Sequence, residues 1–430
     1  MKLSIVIPAY NEEQAIGSII ERCLDARVPI AQCGRLDDVE IIVVSDGSTD
    51  RTVEIARRFD DIRLIVFERN RGYGAAIQEG FVHATGDVLG FLDADGTCDP
   101  LFFAELCNAL VRDGADVAIG SRLGPESRMP RVRRFGNRVY ALILSAISNR
   151  VVTDTASGMR VVRRNALPQL LPLPDGLHFT PAMSARVLLD DRLKIVESPM
   201  PYEERIGNSK LRVVNDGIRF LQTILTFAWW YRPGRILYAV STVCILIAAL
   251  LSMHPLESWI RRGGFAEDQI YRLLFCSWLG TISATALSAG VLCDHIQRIV
   301  RPRDKVTSFG ALVLDTLFTW RGLTGLTVAF TASAAWLVGK GCWTRLTSGL
   351  VDVHWSRVVL AGLIAFTWCQ MLVTVLIADW VRFHIRRNES ARGTSIRSSA
   401  AVPADSLGIR SSLSGRAVRD SESARTLTAV

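Results

Sequence analysis

The sequence predicts an α/β domain built on a mostly parallel sheet with helices on both faces, followed by an all-α membrane region. Three observations predict it. Over the first half of the 430 residues, short β-branched runs alternate with amphipathic helical stretches. Polar, turn-forming residues recur where the early strands end. In the second half, long apolar runs replace the alternation.

The elements follow in order. "KLSIVIPAY" is a short β-branched run, and "NEEQAIGSIIERCLDA" places Ile16, Ile19, Ile20 and Leu24 at helical spacing. "VEIIVVSDGSTD" reads as strand then turn, "RTVEIARRF" as helix and "IRLIVFERN" as strand. "GYGAAIQEGFVHAT" is again helical, and "DVLGFLDADG" is a fourth strand. This rhythm implies a parallel sheet, whose ligands bind at the carboxyl ends of the strands. The polar residues gather at those ends: Pro8, Asn11 and Glu12; Ser45 to Ser48; Asn70; Asp93 and Asp95. Carboxylates this close repel, and each raises the pKa of its neighbours. A cation is expected among them. Hard oxygen ligands suit Mg²⁺ or Mn²⁺ bridging a diphosphate, whose departure the ion would assist. A solvated Asx-turn is the alternative reading of Asp93 and Asp95.

The formal net charge of +8 could point to nucleic acid, yet the chain has no zinc knuckle and no RNP-like motif. Much of the basic excess flanks apolar runs, which suits anionic lipid. No nucleic-acid partner is expected. The nine cysteines include no C-x-x-C pair, so the soluble part is expected in a reducing compartment. The amino-terminal apolar run is too short for a signal peptide.

"RVYALILSAIS" (138–148) and "LRVVNDGIRFLQTILTFAWWYRP" (211–233) are amphipathic and are expected to lie on a membrane surface, with packing against the sheet as the alternative. Four apolar runs follow, near Ile236–Met253, Leu273–Cys293, Phe318–Val338 and Val358–Val381. The basic segments "YRPGR", "RIVRPRDK" and "RFHIRR" place the amino-terminal domain and the tail in the cytoplasm. The expected organisation is a catalytic domain over 1–208, interfacial helices over 209–234, four membrane helices over 235–385 and a disordered tail over 386–430. That makes an integral, multi-pass protein of a bacterial inner membrane or its equivalent.

In order along the chain, "IPAYNEE", "VVSDGSTD", "NRGYGAA", "GDVLGFLDADG", "GSR" and "DTASGMR" resemble family 2 glycosyltransferases of GT-A fold. "PYEERIGNSKL…DGIRFL" is similar to the polyprenyl-phosphate (dolichyl-phosphate) hexosyltransferase branch, and the likeness covers roughly residues 1–232. The resemblance implies that Pro8, Ala9, Tyr10 and Glu12 line the base and ribose pocket, with Asp46 on the base or ribose. Asp93 and Asp95 would hold the diphosphate through the metal, with Asp95 the direct ligand. Arg122, Arg160, Arg205, Ser209 and Lys210 would handle phosphates. Asp93, Asp95, Arg160 and Arg205 are thus the catalytic set. The implied partners are a UDP- or GDP-hexose, a polyprenyl phosphate and the membrane; relatives often being oligomeric adds a homo-oligomer.

The chain departs from the family pattern at Ser45, Tyr73 and Thr97, and has His178 and Thr180 where an acidic motif is expected. Sugar identity therefore does not transfer. "SRLGPESRMPRVRRFGNR" is read as a mobile basic loop closing over substrate, with Arg131 and Arg134 on the acceptor phosphate; a solvated basic surface is the alternative. The expected reaction is inverting transfer of one sugar to a lipid phosphate, which needs no base. A hydroxyl-bearing lipid acceptor would need one, and Asp154 is then the candidate. A silent membrane scaffold or lipid-linked-sugar carrier is the non-enzymatic alternative. The missing Q-x-x-R-W motif argues against a processive synthase.

Overall fold

The computed structural model describes residues 1–124, 127–206, 210, 212–262, 269–300, 320–349 and 355–400. At its centre is a seven-stranded sheet in the order β3-β2-β1-β4-β6-β5-β7. The strands are β1 (Lys2–Ala9), β2 (Asp38–Ser45), β3 (Arg63–Val66), β4 (Val88–Phe91), β5 (Val117–Ser121), β6 (Arg160–Arg163) and β7 (Ile195–Pro199). All neighbours pair in parallel except β6, which is antiparallel to both β4 and β5. The amino end of β6 therefore meets the carboxyl ends of the other strands, and Arg160 pairs with Phe91 at that edge.

Alternation along the strands splits the core in two. On β1, Val6 joins one apolar cluster, while Leu3, Ile5 and Ile7 join the other. The second cluster is closed by α1 (Ile16–Cys33), α2 (Thr52–Ala56) and α4 (Phe102–Arg112). The first is closed by α3 (Tyr73–His83), α5 (Arg131–Ser148), α6 (Leu167–Leu170), α7 (Phe179–Leu189) and α8 (Val213–Tyr231). Phe91 anchors the first cluster through edge-on contact with Phe179 at 5.9 Å.

Two sequence expectations change here. The basic stretch expected as a mobile loop becomes helical from Arg131, directly after Pro130, and stays so to Ser148. Its amphipathic pattern buries Asn137, Ala141, Leu144 and Ser148, and that burial orders it. The two candidate interfacial helices also pack on the domain: Tyr140 meets Phe220 edge-on at 6.2 Å, and α8 buries Phe220, Ile224, Phe227 and Ala228. Their other faces leave Phe135, Leu142, Val214, Ile218, Trp229 and Trp230 exposed. The sheet-packing alternative thus describes one face of each helix, and the interfacial expectation fits the other.

Among the described residues four long helices follow: α9 (Pro233–Arg262), α10 (Ile270–Val300), α11 (Trp320–Ser348) and α12 (Trp355–Ala400). Tyr238 donates to Asp294 at 2.9 Å, Ser241 and Ser283 are 2.8 Å apart, and Cys276 donates to the Ala248 carbonyl at 3.5 Å, so α9 and α10 run antiparallel. Among the described residues three segments are long and apolar enough to cross a membrane: Pro233–Ser258, Tyr271–Gln297 and Arg357–Val381. The expected run Phe318–Val338 falls on α11, which those three do not include, and Phe318 lies outside the described residues. The chain divides into two units, Met1–Ala378 and Asp379–Val430, and the described part of the second is helical. Helix through 386–400 replaces the disorder expected there, because extending an existing helix avoids the cost of nucleation. The rest of the expected tail lies outside the described residues.

Candidate active site

The site forms where the strand ends converge, and short hydrogen bonds fix each loop. After β1, Asn11 adopts a left-handed conformation (φ 51°), which Asn tolerates better than most residues. Its amide donates to Ser48 Oγ at 3.1 Å, and its side-chain oxygen accepts from the Thr49 amide at 2.8 Å. The turn carrying Glu12 is thereby tied to the turn after β2. Asp46, nearly fully buried, accepts from the Arg71 and Gly72 amides at 2.6 and 2.9 Å. It thus orders the entrance to α3, where Gly72 has φ 110° and a side chain would strike the Asp175 carbonyl.

Past β4, Asp93 and Asp95 point to the same edge. Tyr73 at the start of α3 donates its hydroxyl to Asp93 Oδ1 at 2.6 Å. Gly158 packs so closely on the other oxygen of Asp93 that any side chain there would collide with it. Burial and the neighbouring Asp95 push the Asp93 carboxyl up to about 7, against the pull of Tyr73, Arg122 and Arg205. Asp95 accepts from the Thr97 hydroxyl at 2.7 Å and lies 3.2 Å from Arg205. Thr97 therefore orients Asp95.

A cavity of about 480 Å³ opens over these groups. Pro8, Ala9, Tyr10, Glu12, Asp46, Asp93, Asp95, Arg122, Arg205 and Lys210 all line it, so the fold brings these candidates together. Arg205 bridges Asp95 and Glu12, reaching Glu12 at 2.6 Å. Lys210 contacts the same Glu12 oxygen at 2.6 Å, donates to the carbonyls of Tyr10 and Asn11, and lies 5.5 Å from the Tyr10 ring centre. Ser209 lies outside the described residues.

Three expected phosphate contacts fall elsewhere. Arg160 is fully buried and donates to the Ser157 and Thr155 carbonyls and to Ser184 Oγ at 2.8–3.0 Å. Burial lowers its pKa to about 10, and it fastens the 155–157 turn to α7 instead of facing the cavity. Arg134 donates to the Ser127 carbonyl at 2.9 Å, and Arg131 is exposed; neither lines the cavity. Once this stretch is helical, Arg133, Gly136, Asn137 and Tyr140 share the inward face at i, i+3, i+4 and i+7.

Asp154 is also reassigned. It is fully buried and grips Arg122 in a fork, at 2.8 Å to Nε and 2.9 Å to a terminal nitrogen. Asn137 donates to it at 2.8 Å, and the Arg122 amide at 2.9 Å. Burial alone would raise the Asp154 carboxyl, but Arg122 and these donors hold it below the usual carboxylate range. A carboxylate so engaged cannot take a proton from an acceptor hydroxyl. It positions Arg122, which lies 5.5 Å from the Tyr202 ring centre at the cavity wall.

Sequence reading missed Arg133, Asn137, Tyr140, Tyr202 and Arg219 as lining residues. Helical phase applied to 131–140 would have found Arg133. Tyr73 and His178 showed as departures from a family pattern, and both line the cavity.

The model for glycosyl transferase family 2 matches residues 4–171. The dolichyl-phosphate hexose transferase of Haloferax volcanii is 35% identical over 217 residues, covering 49% of this chain and 86% of that protein. The undecaprenyl-phosphate 4-deoxy-4-formamido-L-arabinose transferase of Proteus mirabilis is 29% identical over 318 residues, covering 70% of this chain and 92% of that protein. Among solved structures, glucosyl-3-phosphoglycerate synthase from Mycobacterium tuberculosis, in complex with Mn²⁺, UDP and phosphoglyceric acid, is 24% identical. It covers 53% of this chain and 78% of that chain, with a TM-score of 0.43. A relative 35% identical and matched along most of its length, together with carboxylates gathered at the ends of a mostly parallel sheet, shows that this chain belongs to glycosyl transferase family 2.

Proposed function

We propose that this chain transfers one sugar from a UDP- or GDP-hexose to a polyprenyl phosphate at the cytoplasmic face of a membrane, with inversion at the anomeric carbon. The observation that carries the reading is the composition of the cavity. Buried carboxylates and the guanidinium groups of Arg122, Arg133, Arg205 and Arg219 line it together, and α8 leads from it to the first apolar span. The dolichyl-phosphate and undecaprenyl-phosphate transferases to which the chain is similar support the acceptor class.

Tyr10, Glu12 and Asp46 would receive the nucleoside. Asp93 and Asp95 would hold Mg²⁺ or Mn²⁺. Their hard oxygens suit such ions, and both carboxylates line the same cavity. Among the described residues no cluster of three or more metal-ligating side chains occurs, so donor phosphates and water would complete the shell. When bound, the ion stabilises charge on the departing diphosphate. The protein's own residues bind and orient. Arg122, locked by Asp154, presents a planar fork to phosphate oxygens. An acceptor phosphate oxygen attacks the anomeric carbon, the bond from that carbon to the diphosphate breaks, and the nucleoside diphosphate leaves. A phosphate is already ionised at neutral pH, so the absence of a free base at Asp154 is no obstacle. Positioning and charge neutralisation supply the rate.

The test is transfer by the membrane-embedded protein with a panel of UDP- and GDP-sugars, undecaprenyl or dolichyl phosphate, and Mg²⁺ or Mn²⁺. Lipids are read by mass spectrometry. A hexosyl-phosphoprenol is expected; EDTA should abolish it, and Asp95→Ala should lower its rate by about 10²-fold or more. Sugar on a lipid lacking phosphate would replace this reading with the hydroxyl acceptor.

A further inference from the structure

We propose that the groove between the 172–178 loop and α8 holds the isoprenoid chain of the acceptor, with His178 and Arg219 forming the neck through which its phosphate enters the catalytic cavity. The inference rests on the polyprenyl-phosphate reading above. The groove encloses about 530 Å³ and shares those two residues with the catalytic cavity. Its floor is a single stripe of α8, from Arg219 through Thr223 and Phe227 to Trp230, at helical spacing. Its opposite wall is Pro172, Leu173 and Pro174.

The chemistry changes along the stripe as it does along a prenyl phosphate. At the neck stand a guanidinium and an imidazole, which burial and then Arg219 keep below its ordinary pKa. Beyond the neck Pro172, Leu173, Pro174 and Phe227 supply the apolar lining, with Gln222, Thr223 and Thr226 between them, and it ends at a Trp of the kind that concentrates at membrane interfaces. Arg219 to Trp230 is eleven residues, about 16 Å of helix. The stripe ends three residues before Pro233, where the first apolar span begins. A chain anchored in the bilayer can follow it from the foot of that span to the reacting carbon. The other apolar opening, past Val132 and Val213, lies at the far end of α8. From Val213 to Tyr231 is eighteen residues, about 27 Å from the start of the span.

The experiment uses the full-length protein in detergent with prenyl (C5), geranyl (C10) and farnesyl (C15) phosphates as acceptors. In the wild type the acceptor KM should fall at least tenfold from C5 to C15. Thr226→Trp, which fills the exposed middle of the stripe, should reduce that ratio below threefold, and Thr226→Ser should retain it. A farnesyl phosphate carrying a photoreactive group on its last isoprene should label residues 172–174 or 222–230. An unchanged ratio in Thr226→Trp, with label on Val132 or Phe135 of α5, would overturn the assignment in favour of the opening between α5 and α8. A wild type with no chain-length dependence would overturn it as well. No transfer to any prenyl phosphate is a different result, since it removes the acceptor reading itself.

Discussion

Arg131, Arg133 and Arg134 sit together in sequence and differ in what they face. Only Arg133 lines the cavity. A charge-assisted hydrogen bond to phosphate contributes about 1.5–3 kcal/mol, so Arg133→Ala should raise the acceptor KM by roughly tenfold or more. Arg131→Ala should leave it within about twofold, as surface charges contribute little. Steady-state kinetics with undecaprenyl phosphate decide this, and equal effects would mean that the helix turns differently when acceptor binds. Asp154 makes a second prediction. Breaking a buried ion pair by removing one partner costs about 3–5 kcal/mol, so Asp154→Ala should lose stability on that scale. The sign with pH follows from its depressed pKa. The pair contributes fully above the ordinary value of 3.8, and its contribution is lost as pH falls through the lower folded value. Thermal melts between pH 5 and 3 should show a steeper acid loss in the wild type than in Asp154→Asn. A general base would instead move the pH profile of transfer, which Asp154→Asn should leave in place.

At the scale of elements, α5 and α8 carry the join between sheet and membrane region. The last turn of α5 ends in a left-handed Asn149. Arg235, the third residue of α9, donates to the Ile147 carbonyl at 2.6 Å and to Asn149 Oδ1 at 2.9 Å. A cation at a helix carboxyl terminus satisfies its last carbonyls. Arg235→Ala should therefore loosen the end of α5. Hydrogen exchange should rise at residues 144–149 and stay unchanged in α1 and α4, which lie on the other face of the sheet. Uniform exchange would show that the contact holds no particular element. The core beneath α8 is less forgiving. Phe227 is buried where α8 packs on α7, beside Arg186, and Phe227→Ala should cost about 3–5 kcal/mol by leaving a cavity.

For the whole molecule, the proposed cytoplasmic placement of the catalytic domain rests on the basic flanks of its apolar segments. Cys33 is exposed on that domain. In a variant keeping Cys33 as its sole cysteine, a membrane-impermeant maleimide should label inverted vesicles and spare intact spheroplasts. The reverse pattern would put the domain on the outer face and remove access to cytoplasmic nucleotide sugars.

The sequence by itself determined the alternating first half, the four leading strands, the clustering of Asp46, Asp93 and Asp95 at their ends, and the apolar second half. These are local signals: β-branched runs, helical spacing and turn residues each act over a few neighbours. Tertiary structure alone decided the rest. The short strand β6 runs against its neighbours, which brings Arg160 to the right edge yet buries it. Asp154 meets Arg122 across 32 residues, and Tyr73 meets Asp93 across 20. Pairings of that kind depend on which elements become neighbours in space. The same holds for the phase of α5, where burial of Asn137 and Leu144 against the domain chose which arginine faces the cavity.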